Sequence, residues 1–310
     1  MAGPLRPRPM RKAAQMNAYT DGWWQSDDGL RLHFRDYAGT RPDLPPVFCL
    51  PGLTRNARDF EKLAELLSSP AGGGWRVLCV ELRGRGMSDY APDSRSYNPM
   101  QYVLDVYALL AQHQIAKFVS IGTSLGGLLT MSLAALAGDK RPDVLAGALL
   151  NDIGPVLEPA GLDKIVDYVG KDARYPSWQA AADAARGLFG ASFPGRSNAS
   201  WLGYVHRTMV EDADGTVRYD YDPHIADPFK AGKTTPPDLW GGLDALAGRP
   251  VLLLRGALSD LLAPETFAEM QRRLPDADAV EVAGVGHVPA LDEPEAAAAI
   301  TRWLAKVAAA

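Results

Sequence analysis

Between residues 46 and 152 the chain switches regularly between short, continuous apolar runs and longer stretches with apolar positions on one side only. The apolar runs at 46–50 (Pro-Val-Phe-Cys-Leu), 75–80, 118–121 and 144–151 have the length of strands buried on both faces. The stretches between them read as amphipathic helices. One is capped by Asn56 and carries Phe60, Leu63, Leu66 and Leu67. A second carries Tyr102, Val103, Val106, Leu109 and Leu110. A third runs from Leu125 to Leu136. Upstream, residues 19–37 read as a β-hairpin turning at Asp28-Gly29, with Leu30, Leu32 and Phe34 alternating with Arg31, His33 and Arg35. That alternation places His33 on the polar face, as a surface histidine. Strand signals return at 250–256 and 279–282, with helices at about 264–274 and 292–308. Strands alternating with helices in this way predict an α/β fold: a doubly wound, mostly parallel sheet covered on both faces.

The rhythm breaks from 156 to 243. This stretch predicts helices at about 159–170, 177–190 and 198–212, then a turn at Asp214-Gly215 between Met209-Val210 and Val217-Arg218-Tyr219. It is rich in aromatic residues, among them Trp178, Phe189, Phe193, Trp201, Tyr204, Tyr219, Tyr221 and Trp240, which read mainly as the core of a helical insertion. The expected organisation is therefore a basic leader at 1–18 without order of its own, an α/β core at 19–155 and 244–310, and the insertion at 156–243.

The remaining composition narrows the function classes. The net charge is −5 over 310 residues, yet the leader holds Arg6, Arg8, Arg11 and Lys12 and no acid, so the body is more acidic than the total. An acidic body argues against nucleic acid as partner. No run of about 18 apolar residues suggests a membrane span. Cys49 and Cys79 each lie in an apolar strand-like run and read as buried free thiols, which points to a cytoplasmic protein.

In an open parallel sheet, reactive groups collect beyond the carboxyl ends of the strands. Three such ends carry chemistry. The strand at 118–121 runs into Gly122-Thr123-Ser124-Leu125-Gly126 and then directly into a helix; the strand at 250–256 is followed by Asp260; the strand at 279–282 is followed by Gly286-His287. A serine hydroxyl is a weak nucleophile until a base takes its proton, and imidazole titrates in the right range. The imidazole needs a carboxylate to fix its tautomer. Ser124 as nucleophile, His287 as base and Asp260 as orienting acid satisfy these needs. Asp152, just past the strand at 144–151, is the alternative acid. The backbone N–H groups of Leu125 and Leu53 are the candidate oxyanion donors; Pro51 has no N–H, and Gly52 permits close approach of its loop to a substrate.

Taken together, Gly122–Gly127, Arg83-Gly84-Arg85-Gly86-Met87-Ser88, Asp260 and Gly286-His287 make residues 20–308 resemble the α/β-hydrolase-fold serine hydrolases. The resemblance implies a sheet of about eight strands with 156–243 as a cap, a mainly structural role for Arg83 and Arg85, and a carboxylic ester hydrolase forming an acyl-enzyme on a small to medium apolar substrate. It implies no cofactor and no metal. One departure is Pro51-Gly52, where members often have His-Gly. Lactones or enol-lactones, and carbon–carbon bonds in vinylogous diketones, are alternative substrates for the same triad. A ligand receptor on the same fold is the alternative of another class. Epoxide hydrolases and dehalogenases of this fold carry a carboxylate where this chain has Ser124. His113, His206 and His224 read as surface or structural residues.

Overall fold

The computed structural model describes residues 18–138, 144–230 and 239–310. The leader expected at 1–18 falls almost wholly outside the described residues. In chain order the structure runs β1 (Thr20–Gln25), β2 (Arg31–Tyr37), β3 (Val47–Leu50), α1 (Glu61–Ser68), β4 (Val77–Glu81), α2 (Pro99–Gln112), β5 (Phe118–Thr123), α3 (Leu125–Ala137) and β6 (Leu145–Asn151). Then come α4 (Pro159–Tyr168), β7 (Arg174–Tyr175), α5 (Trp178–Phe189), α6 (Asn198–Thr208), β8 (Met209–Glu211), β9 (Val217–Tyr219), α7 (Asp227–Lys230) and α8 (Trp240–Asp244). The chain closes with β10 (Val251–Gly256), α9 (Pro264–Arg273), β11 (Asp278–Val282) and α10 (Pro294–Ala309).

The main sheet has eight strands in the order β1-β2-β4-β3-β5-β6-β10-β11. β2 is antiparallel to both β1 and β4. From β4 onward every pairing is parallel. Side-chain alternation along the strands divides the core in two. Phe48, Leu50, Leu78, Val80, Phe118, Leu150 and Leu253 pack under α2, α3 and α9. Val47, Cys49, Val77, Cys79, Val119, Ile121, Leu252 and Leu254 pack under α1 and α10. Helices on both faces explain why β3, β4, β5, β6 and β10 are buried at every position.

Two local expectations fail. His33 is fully buried. β2 has a neighbour on each side: Trp23 of β1 stands across from it, the rings 4.7 Å apart, and Glu81 of β4 is its register partner on the other side. Its Nδ1 meets Glu81 at 2.8 Å and its Nε2 meets Asp21 at 2.9 Å. Alternation identified the face but not the strand that would cover it. The helix expected to reach residue 212 stops at Thr208, because residues 209–211 pair with β9 across the Asp214-Gly215 turn.

Residues 159–230 form four helices and a small sheet of order β7-β9-β8 beyond the end of β6. They have a core of their own, in which Trp201, Phe193, Tyr204 and Met209 pack on Ala181, Ala182 and Ala185. Arg58 reaches across from the α/β core to the carbonyls of Arg207 and Met209 and to Asp220. Gly86 N–H donates to the Asp220 carbonyl.

Candidate active site

The site is built on the turn between β5 and α3. Ser124 sits there with φ 51° and ψ −116°, a left-handed backbone conformation that few side-chain-bearing residues adopt. The flanking glycines are required by contact. A Cβ on Gly126 would stand 2.0 Å from the Leu50 carbonyl oxygen, and one on Gly122 would stand 2.5 Å from the Gly126 carbonyl oxygen. Helix α3 thereby starts hard against β3, and Ser124 is presented at its N-terminus, where amide groups without intrahelical acceptors gather.

His287 lies on the loop after β11. Ser124 Oγ is 2.9 Å from its Nε2, and its Nδ1 is 2.7 Å from Asp152 Oδ2. With Nδ1 protonated and donating to the carboxylate, Nε2 is free to accept the serine proton. Asp152 follows β6 with φ 54° and is fully buried. Both its oxygens accept hydrogen bonds: Gly256 N–H donates to Oδ1 at 2.8 Å, and the Ser259 hydroxyl donates to Oδ2 at 2.7 Å. A carboxylate with this many donors is held in one orientation.

The acid beside His287 is therefore Asp152, the alternative, and the expectation for Asp260 is corrected. After β10 the chain makes a tight turn in which Ser259 N–H donates to the Gly256 carbonyl. That turn aims the Ser259 side chain inward at Asp152. Asp260, the next residue, is directed outward and pairs with Lys164 of α4. Ser259 is the residue that sequence reasoning missed; its position immediately before the expected acid was the available signal.

Leu125 follows the serine at the start of α3, and Leu53 lies in the loop after β3. Gly52 and Leu53 line the same cavity as Ser124 and His287, and a Cβ on Gly52 would lie 3.6 Å from the Ser124 Cβ. The loop is pinned from beneath by Arg85, which is fully buried and donates to the Leu53 carbonyl at 2.9 Å. That bond fixes the peptide plane between Leu53 and Thr54. Arg83 is likewise structural, bridging Asp105 and Asp28.

The cavity over Ser124 has a volume of about 280 Å³. Ile165, Tyr168, Phe189, Phe193 and Tyr204 of the inserted segment supply its apolar wall. Of the other histidines, His206 stacks on Trp178, His224 meets Asp227, and His113 bonds the Trp23 carbonyl. Among the described residues, no group of three His, Cys, Asp or Glu side chains is placed to hold a metal.

An eight-stranded, mostly parallel sheet with a serine on a strand–helix elbow defines an α/β hydrolase. The model of the alpha/beta hydrolase family matches residues 47–300, and the chain belongs to that family. It is an enzyme of the hydrolase class with esterase-like relatives. It is 37% identical over 259 residues to a 3-hydroxybutyrate-oligomer hydrolase of Cupriavidus necator, covering 80% of this chain and 84% of that one. It is 28% identical to an esterase of Mycobacterium tuberculosis, over 83% of this chain and 82% of that one. Among solved structures, an α/β hydrolase from Novosphingobium aromaticivorans superposes with a TM-score of 0.88 at 50% identity, over 94% of this chain and 100% of that one.

Proposed function

We propose that this chain is a serine hydrolase that cleaves carboxylic esters through an acyl-enzyme, with Ser124, His287 and Asp152 as the triad. The observation that carries this reading is the unbroken run of hydrogen bonds from Ser124 Oγ through His287 to a buried Asp152, opening on a cavity of about 280 Å³. Ser124 Oγ attacks the carbonyl carbon while His287 Nε2 takes its proton. The Leu53 and Leu125 N–H groups receive the oxyanion. His287 returns the proton to the leaving alcohol, and the C–O bond breaks. Water, deprotonated by the same imidazole, then attacks the acyl carbon and frees the serine. General-base catalysis of this kind contributes roughly 10²–10⁴ in rate, and each oxyanion donor about 10²–10³.

The aromatic and aliphatic wall suits small to medium acyl and alcohol groups. The name of the C. necator relative supports esters between short hydroxy acids as the substrate to try first. In this reading residues 156–243 act as the cap that selects the ester. A cytoplasmic setting is proposed on the two free, buried cysteines; no described helix is long and apolar enough to cross a membrane.

The test is Ser124→Ala, assayed with p-nitrophenyl butyrate and with the 3-hydroxybutyrate dimer. Turnover is expected to fall by at least about 10⁴-fold, and fluorophosphonate labelling is expected to disappear. Wild-type rates in that variant would overturn the mechanism. Multiple turnovers per Ser124 in the native chain separate an enzyme from a receptor, which would stop after one acylation.

A further inference from the structure

Three arginines and a lysine line the Ser124 cavity, against two carboxylates. Arg55 is paired with Asp59, which Arg207 also approaches at 3.5 Å, and Lys62 is paired with Asp292 at 2.8 Å. Arg196 is left over. Among the described residues no carboxylate lies within 4 Å of it, and its Nη1 is buried with no hydrogen-bond partner. Its guanidinium is held in place all the same, at 4.1 Å from the Phe193 ring centroid, 4.8 Å from Trp201 and 5.6 Å from Tyr204. Aromatic faces stabilise the cation but accept none of its hydrogen bonds in the guanidinium plane. A desolvated donor without an acceptor is costly, and here the cost falls on a group that borders both the Ser124 cavity and a second, adjoining one of about 350 Å³.

Glu293, the acid whose charge acts on Arg196, lines only the adjoining cavity. Its Oε1 accepts from Ala290 N–H at 2.7 Å, its Oε2 is buried without a hydrogen-bond partner, and neither oxygen lies within 4 Å of the Arg196 nitrogens. Burial, with repulsion from Arg207 and Arg55, outweighs Tyr204 and Glu293 and pulls the Arg196 guanidinium below its ordinary range, whereas Asp59 holds Arg55 above it despite burial. Arg196 stays cationic at neutral pH nevertheless. This positive pocket lies in a chain of net charge −5, so the excess is local.

We propose that Arg196 is a specificity residue that binds a free carboxylate on the substrate, so that the preferred esters are anionic: short esters or oligomers of hydroxy acids that keep an ionised terminal carboxyl group. This rests on the ester-hydrolase reading above. The planar guanidinium fork fits a carboxylate, and the aromatic faces keep the fork rigid before substrate arrives. The adjoining cavity leaves room for further units of an oligomer past Arg196.

The test compares the 3-hydroxybutyrate dimer as free acid with its methyl ester, which lacks the charge and keeps the scissile bond. The readout is the ratio of kcat/KM for the two, in wild type, Arg196→Gln and Arg196→Lys. The wild type is expected to prefer the free acid. Arg196→Gln is expected to lower the ratio by about 10–100-fold, the worth of a hydrogen-bonded charge pair, mostly through KM. Arg196→Lys, which keeps the charge and loses the fork, is expected to fall between them. An unchanged ratio in Arg196→Gln, whether both rates fall together or neither does, overturns the proposal and makes Arg196 structural. A wild type that prefers the methyl ester overturns it too, while leaving the ester-hydrolase reading intact. A wild type that hydrolyses neither ester, nor any p-nitrophenyl ester, defeats that reading itself.

Discussion

Two aspartates, 152 and 260, follow neighbouring parallel strands, and only their surroundings separate them. Asp152 is buried and bonded to His287, Gly256 and Ser259; Asp260 is partly exposed and bonded to Lys164. In the proposed mechanism, Asp152→Asn leaves the shape of the site and removes the acceptor that fixes the imidazole tautomer. The expected result is a fall in kcat of about 10⁴-fold, against a change within about threefold for Asp260→Asn, read from steady-state kinetics on the same ester. A larger loss at Asp260 would reverse the assignment. That Ser124 and His287 stand beyond strand ends could be read from sequence, because each follows a clear strand, at Gly122 to Gly126 and at Gly286. The acid could not be fixed, because a sequence shows that a carboxylate follows a strand but not which way the next turn aims it. A single hydrogen bond, Ser259 N–H to the Gly256 carbonyl, decides it.

At the scale of elements, the elbow depends on how closely α3 approaches β3. Gly126→Ala places a methyl 2.0 Å from a backbone oxygen that cannot swing away, so α3 must lift from the sheet and carry Ser124 with it. The expected cost is at least about 1–3 kcal/mol of stability, together with a tenfold or greater loss in kcat/KM measured below the melting temperature. Gly187→Ala is the control. That glycine is inside α5 with nothing within 4 Å of the added carbon, so the substitution should stabilise by about 0.5–1 kcal/mol. The parallel strands and their helices were legible because burial on both faces leaves long apolar runs. The end of α6 was not, because helix and strand share the apolar positions at 204–210 and the pairing with β9 is long-range.

Across the whole molecule, Glu81 joins parts that are far apart in sequence. It accepts from His33 of β2, from Ala57 N–H and from Met87 N–H. Burial favours its neutral form, but hydrogen bonding and charge from His33, with the Met87 N–H, win and hold Glu81 below the ordinary value of 4.5. A depressed acid contributes stability that is fully present above that ordinary value and is lost as pH falls through the lower folded one. Glu81→Gln should therefore lower the melting temperature by about 5 °C at pH 7, and the gap to wild type should narrow as pH drops below 4.5 in calorimetric scans. A gap that does not depend on pH would show that Glu81 acts by shape alone. The doubly wound, mostly parallel sheet was implicit in the alternation of strands and helices; the order of its strands was not. The packing of the inserted segment over Ser124, and with it the unpartnered Arg196, was not, because aromatic residues on short helices satisfy a local core and a cavity wall equally well.

The bonds from Gly256 and Ser259 to Asp152 also have a consequence for how this chain can vary. They join the two adjacent strands, β6 and β10, between which some hundred residues depart and return. The carboxylate bonded to His287 is thus also the clasp on that excursion. On the proposed mechanism, a chimera that exchanges what lies between the two roots is expected to keep the clasp shut and to cleave different esters, provided it replaces the bonds from Arg58 and Gly86 to the segment it removes.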